Sequence, residues 1–392
     1  MSLPGDARPL RIAIVNRFAP PDGAPTAAAA ADLARELAVA LPRAEITLYA
    51  SRASYGPDAA ASPDQPELPT RRVGSLYAGK WPPARLAASL LEGWALARRA
   101  AREADLVISL TDPPLLSLWV GPACRSRGRR WIEWTLDRFP EFFAAAGLVG
   151  EAHPLYRLLV SRDAGLRPDA VIGLGTEQLR HLAVRRGALP PAVILPVGLT
   201  LPAPDTPPPS DPNQPLTLVY AGNLGEAHNP AALAAIVGRA DPARFRFAFA
   251  VSGRHAAGLR RQLAGHPAVD WHERLATGEL AAADAHLVSL SGRATHLSVP
   301  SKAQTAVCLG RPFLFFGAAE ADSWRELGDA GWLVPEDGDG NFPAAAIDAA
   351  LTALADPAER ERRAAAARAL SATLRRRRAE GVAALAAIIT AL

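Results

Sequence analysis

Lysine, cysteine, methionine and long apolar runs are all scarce in this chain, and each scarcity excludes something. Among 43 basic residues only Lys80 and Lys302 are lysines, and against 39 acidic residues the formal net charge is +4. An ammonium is a compact point charge where a guanidinium is a flat fork, so a rare lysine marks a candidate for a place needing the compact form. Cys124 and Cys308 stand far apart, with no CxxC spacing and no histidine at metal spacing. That excludes a cysteine-rich zinc site and leaves two reduced, buried thiols as the expectation. No stretch reaches the roughly 20 consecutive apolar residues of a membrane span. The opening MSLPGDARPL lacks the apolar core of a signal segment. These absences lead to the expectation of a cytoplasmic protein. No nucleic-acid module is visible, and Arg375–Arg378 reads as a solvated helix end.

What is present is alternation. RIAIVN (11–16), EITLYA (45–50), DLVISL (105–110), RWIEW (130–134) and AVIGL (170–174) are short strand-like runs separated by helical stretches. Thr26 is the candidate N-cap of the first helix, and Leu33, Leu37 and Leu41 recur at helical spacing. Residues 200–215, TLPAPDTPPPSDPNQP, are too rich in proline for helix or strand interior and read as a linker. The pattern then restarts with LTLVY (216–220) and continues through FRFAFAV, AHLVSL, PFLFF and GWLVP. The expectation is an α/β protein of two Rossmann-like, doubly wound domains, 1–199 and 216–372, facing a central cleft. A long Ala/Arg helix over about 357–379 and an apolar tail close the chain, with 373–392 expected as a C-terminal helix returning to the first domain.

Two segments of the second domain carry the strongest chemistry. Val219–Pro230, VYAGNLGEAHNP, is a strand followed by glycines and a helix start. Gly222, Asn223 and Gly225 there would let backbone approach a diphosphate, although a plain glycine turn explains the pattern as well. Ser291–Ser301 then leads into a helix opened by Pro300, Ser301 and Lys302, a hydroxyl and an ammonium beside free N–H groups. Arg254 ends a neighbouring strand. Arg274 and Leu275 follow the next, where backbone would read a base edge or the side chains would simply be solvated. In the first domain Gly23 follows the first strand, Asp112 the third, and Asp137 and Glu141 the fourth. The acids are candidates to meet the donor or acceptor, with helix capping as the alternative for Asp137 and Glu141. Arg71, Arg72, Tyr77, Lys80, Trp81, Arg85 and Trp94 mix basic and aromatic character, which suits either an anionic membrane surface or a solvated face.

The segments IVNRFAPPDGAPT, WTLDRFPE, YAGNLGEAHNP and VPSKAQTAVCLGRPFLFFG together resemble GT-B glycosyltransferases of the large GT4 family, nearest to bacterial enzymes of the colanic-acid type. The resemblance implies that the Gly222–Gly225 loop and Ser301–Lys302 cradle a donor diphosphate, that Gly23 adjoins the donor, and that the Arg274 loop lies near the base. Three features depart from the family pattern. Its paired glutamates would fall near Leu297 and Thr305, its N-domain histidine near Leu136, and its Arg/Lys pair in the stretch of Asn223 and His228. The implied activity is retaining transfer from a UDP- or GDP-sugar to a glycan or lipid-linked acceptor, at or near the inner membrane face. No metal or other cofactor is expected, with Lys302, Ser301 and helix N–H groups neutralising the leaving diphosphate. A nucleotide-sugar epimerase and a catalytically degenerate nucleotide-sugar-binding protein are the rival readings.

Overall fold

A computed structural model describes residues 8–52, 68–75, 82–199 and 213–392. The first domain runs β1 (Arg11–Val15), α1 (Pro25–Ala40), β2 (Glu45–Ser51), β3 (Thr70–Val73), α2 (Pro82–Glu103), β4 (Leu106–Ser109), α3 (Leu116–Arg125), β5 (Arg130–Trp134), α4 (Glu141–Ala145), α5 (Pro154–Ala164), β6 (Ala170–Gly173), α6 (Thr176–Arg186) and β7 (Ala192–Ile194). Its seven-stranded parallel sheet has the order β3-β2-β1-β4-β5-β6-β7. β1 sits centrally, Ile14 paired with both Leu48 and Ile108. Four of its five residues are buried because helices cover both sheet faces. β3, TRRV, is an edge strand that apolar patterning does not reveal. Arg72 within it donates to Ser51 O at 3.0 Å and to Pro20 O at 2.8 Å, tying the loop after β1 to the sheet edge.

The second domain runs β8 (Leu216–Asn223), α7 (Pro230–Arg239), β9 (Phe245–Ser252), α8 (Ala256–Gln262), β10 (Val269–Trp271), α9 (Thr277–Ala282), β11 (Ala285–Ser289), α10 (Ser301–Cys308), β12 (Phe313–Gly317), α11 (Asp322–Leu327), β13 (Gly331–Pro335) and α12 (Ala344–Ala355). Six parallel strands are ordered β10-β9-β8-β11-β12-β13. In both parallel sheets the strand order reverses beside the first strand, at β1/β4 and β8/β11, and ligands collect outside the carboxyl ends of strands at such points. The expected linker lies outside the described residues except for 213–215.

The chain ends in one continuous helix, α13 (Pro357–Ala391), capped by Asp356, whose carboxylate accepts from Ala358 N at 2.9 Å. The helix expected over about 357–379 and the returning helix expected over 373–392 are one continuous helix. Its buried stripe is Ala364, Ala367, Ser371, Leu374, Arg378, Gly381, Val382, Leu385 and Ile389. Alanine, serine, arginine and glycine in that stripe hide the periodicity from a hydrophobic count. Leu374 packs in the second domain's core, while Val382 and Leu385 pack with Leu33 and Leu37 of the first. At the crossover Arg378 donates to both carboxylate oxygens of Glu36, at 2.6 and 2.7 Å.

A second clamp joins the domains. Asp322 of α11 accepts from Glu177 N at 2.8 Å and Gln178 N at 2.9 Å, capping α6 across the interface. A carboxylate at a helix N-terminus is favoured by unsatisfied N–H groups and the dipole.

Candidate functional site

The second domain's half of the site is built around Lys302. β8 ends at Asn223, and Gly222 just before it has φ +111°, a conformation open to glycine. This turn brings Asn223 O to 3.0 Å from Lys302 Nζ, which donates to it. Nζ also lies 3.4 Å from His228 Nε2 and 5.0 Å from the centre of the Tyr220 ring. His228 Nδ1 approaches Ser289 O at 2.5 Å, and since a carbonyl only accepts, the proton is on Nδ1. Nε2 therefore carries the lone pair that faces the ammonium. Burial, then the nearby Lys302 charge, pushes the His228 pKa down to about 3, so the ring stays neutral. Burial likewise lowers Lys302 to about 8. The result is a clamped, poorly solvated cation at the start of α10, which begins at Ser301 with no side-chain cap on its free N–H groups.

Gly253, with φ +93°, completes the cradle: a Cβ there would sit 2.0 Å from Asn223 Oδ1. The sequence signal for it is the Ser-Gly step closing β9, the same strand-end glycine that marks Gly222.

The first domain contributes carboxylates. Thr26 does not cap α1, whose N-cap is Ala24. Its hydroxyl instead accepts from Asn16 Nδ2 at 3.2 Å and donates to Asp112 Oδ2 at 3.5 Å. Burial first, and the neighbouring Asp137 charge second, push Asp112 up to about 6. Asp137 is also raised by burial, against a hydrogen bond from Ser298. Its backbone N donates to Thr111 Oγ1 at 3.2 Å, and Asp137 pairs in an antiparallel bridge with Ser298 of the second domain. That bridge brings the Asp112–Asp137 pair and the segment entering Ser301–Lys302 together across the cleft.

Other candidates are placed differently. Gly23 lies exposed in the loop after β1, beside Asp22, whose carboxylate accepts from Ala24 N at 3.1 Å. Arg254 is ion-paired with Glu226 of the glycine loop. Arg274 is exposed, while the Leu275 side chain is buried with Val219 and Ala250, leaving only its backbone for a ligand. Glu141 is not an open cleft carboxylate. It is buried in the first turn of α4, with Oε1 accepting from Arg138 at 2.6 Å and lying 3.4 Å from Arg185. These two guanidiniums account for the burial, since paired charges can be buried where single ones cannot, and Arg138 also lies 3.9 Å from Asp163, which Arg186 pairs with.

The start of α7, after the glycine loop, is already satisfied. Asn229 caps it, accepting from Ala231 N at 3.0 Å, and donates to Glu336 and Gly340. Of the two expected helix starts, only that of α10 offers free N–H groups. Asp337 Oδ1 accepts from Asp339 N and Asn341 N, closing a turn of its own beside Gly340. Leu297 and Val299 are buried, so apolar side chains occupy the stretch where the family pattern places its first glutamate. Of the basic–aromatic cluster, Tyr77, Lys80 and Trp81 lie outside the described residues, as does the Arg85 side chain. Trp94 is 44% exposed with the Arg98 guanidinium 4.8 Å from its ring centre.

Two facing Rossmann-like sheets, a shared terminal helix and a cleft at the strand ends define the GT-B fold, and comparison with solved structures shows it. The chain is similar to sucrose-phosphate synthase from Thermosynechococcus elongatus, with TM-score 0.65, 16% identity and coverage of 93% of this chain and 94% of that one. WaaG, a glycosyltransferase involved in lipopolysaccharide biosynthesis, gives TM-score 0.63 at 16% identity, covering 92% and 95%. Anabaena HepE, solved with UDP and glucose, gives 0.62 at 15% identity, covering 98% and 100%. No family model and no curated protein sequence matches the chain.

Proposed function

We propose that this chain is a glycosyltransferase that moves a sugar from a UDP- or GDP-sugar to a glycan or lipid-linked acceptor with retention of configuration. The observation that carries the reading is the clamped Lys302 ammonium at the uncapped start of α10, in a GT-B fold where Asp137 of the other domain bridges to Ser298 on the segment entering that helix. In the reaction the acceptor hydroxyl oxygen bonds to the anomeric carbon as that carbon's bond to the diphosphate oxygen breaks. The electron pair leaves on the diphosphate, and on the same face of the sugar the hydroxyl proton passes to the departing phosphate oxygen. Lys302 and the N–H groups of Ser301 and the next two residues stabilise the charge that develops there. Asp137 and Asp112, both pushed up by burial, orient sugar hydroxyls through hydrogen bonds. Binding of a diphosphate raises the Lys302 pKa back toward its ordinary value, so the ammonium is fully charged when it is needed.

No described helix is long and apolar enough to cross a membrane. Leu86, Leu91, Trp94 and Trp119 are large apolar side chains 38–54% exposed around α2 and α3, which supports contact with a membrane surface carrying the acceptor.

The test is donor turnover on a panel of UDP- and GDP-sugars, read as free nucleoside diphosphate. The wild-type protein is expected to release it, and Lys302→Ala to lose at least 100-fold in rate. Equal rates would remove Lys302 from the mechanism. An isomerised donor sugar would make the protein an epimerase, and tight donor binding without turnover a binding protein.

A further inference from the structure

Beside the reaction centre, a groove of about 730 Å3 opens where the α4–α6 face of the first domain meets the segment leading into α10. Glu141, Tyr156, His181 and Arg185 line it from one domain, Arg293 and His296 from the other. Among the described residues, three buried polar atoms without a hydrogen-bond partner belong to this lining: Glu141 Oε2, Arg185 Nη2 and His296 Nδ1. Native structures seldom leave such atoms unmatched, so three around one opening point to a ligand that matches them.

The chemistry of the three atoms restricts that ligand. Glu141 Oε2 only accepts, Arg185 Nη2 only donates, and an imidazole nitrogen takes either role. Arg138, Arg185 and Arg186 are matched by Glu141, Asp163 and Glu133 in one linked network, so the groove has no strong demand for a charged group. A neutral ligand that donates at one point and accepts at the next fits, and a sugar hydroxyl does both from one oxygen. The rings of His181 and His296 stack at 5.6 Å across the domains, and buried Tyr156 adds a second flat surface. Such rings pack against the C–H face of a pyranose.

The groove also has the right neighbour. Arg138 N donates to Leu297 O at 3.0 Å, and the adjoining Asp137 and Ser298 form the bridge that borders the reaction centre. One wall is thus shared between the groove and the segment entering Ser301–Lys302. We propose that this groove holds the saccharide of the acceptor, its hydroxyls bridging Glu141 Oε2 and Arg185 Nη2 and one ring lying against the His181–His296 stack. The proposal rests on the glycosyl-transfer reading and adds the class and seat of the second substrate.

The experiment probes fluorescently labelled full-length protein on an array of hexose, hexosamine and uronic-acid oligosaccharides, with UDP or GDP present. Nucleotide binding to the wild-type protein is measured separately by thermal shift. Saturable binding to at least one saccharide is expected, weakened about tenfold or more in Arg185→Met and in His296→Ala. Arg293→Ala, at an exposed position, serves as the third variant should Arg185→Met fail to melt cooperatively. Absence of saccharide binding by a wild-type protein that does bind nucleotide overturns the groove assignment and leaves the donor reading standing. Saccharide binding that persists in all folded variants overturns it too. Absence of nucleotide binding instead strikes the donor reading beneath it.

Discussion

Replacing Lys302 with methionine tests the site through stability and affinity in opposite directions. Burial lowers the ammonium from its ordinary 10.5 to about 8, which at about 1.4 kcal/mol per tenfold corresponds to about 3 kcal/mol against the charged form. The folded pKa lies below the unfolded one, so between pH 8 and 10.5 the folded chain holds fewer protons than the unfolded chain. Stability therefore rises with pH across that window, and the whole penalty is present below pH 8. Methionine keeps the length and removes the charge, but it leaves Asn223 O and His228 Nε2 without their donor, a loss of about 1–2 kcal/mol. The net is a gain of about 1–2 kcal/mol at pH 7, or about 2–6 °C in Tm. Nucleotide affinity moves the other way, because a lost charge-assisted bond of about 1.5–3 kcal/mol weakens Kd by roughly 10- to 150-fold. Thermal melts from pH 6 to 10, with and without UDP and GDP, read both effects. The wild-type Tm should climb between pH 8 and 10 while the variant's stays flat. A Lys302→Met protein that melts lower at pH 7, keeps the wild-type pH slope and still responds to nucleotide would refute the reasoning.

Three further outcomes are expected. Gly253→Ala drives a Cβ to 2.0 Å from Asn223 Oδ1 at φ +93°, costing about 1–3 kcal/mol and weakening nucleotide binding. Gly258→Ala, in α8 with nothing within 4 Å, should instead stabilise by about 0.5–1 kcal/mol; equal urea midpoints for the two contradict the cradle. Asp112 has a folded pKa of about 6, above its ordinary 3.8, so the folded chain binds more protons between pH 4 and 6 and stability falls as pH rises through that range, by about 3 kcal/mol. Asp112→Asn removes that slope and is the more stable protein at pH 7, which urea unfolding from pH 4 to 7.5 will decide. Arg186→Gln leaves Glu133 and Asp163 buried without their shared cation and should lower unfolding free energy by about 3–5 kcal/mol; a loss under 1 kcal/mol would show that the pair is solvated.

Much of this protein was determined by local sequence alone. The apolar runs RIAIV and LTLVY, the glycines after the second and the restart beyond residue 215 are enough for two doubly wound domains, because strand and helix periods are properties of neighbouring residues. Lys302 was visible as a rarity beside a helix start. Its partners were not: Asn223 lies 79 residues away and His228 74, and only the placement of β8 beside β11 brings them to α10. The same holds for Asp322, which caps a helix 145 residues earlier, and for Glu141, whose second cation is Arg185 on α6, far along the chain. β3 escaped because Arg71 and Arg72 occupy strand positions that are paired in three dimensions without being apolar in one. Sequence fixes what a segment prefers; tertiary structure decides which distant charge, carbonyl or ring it meets, and the chemistry of this cleft lies in those meetings.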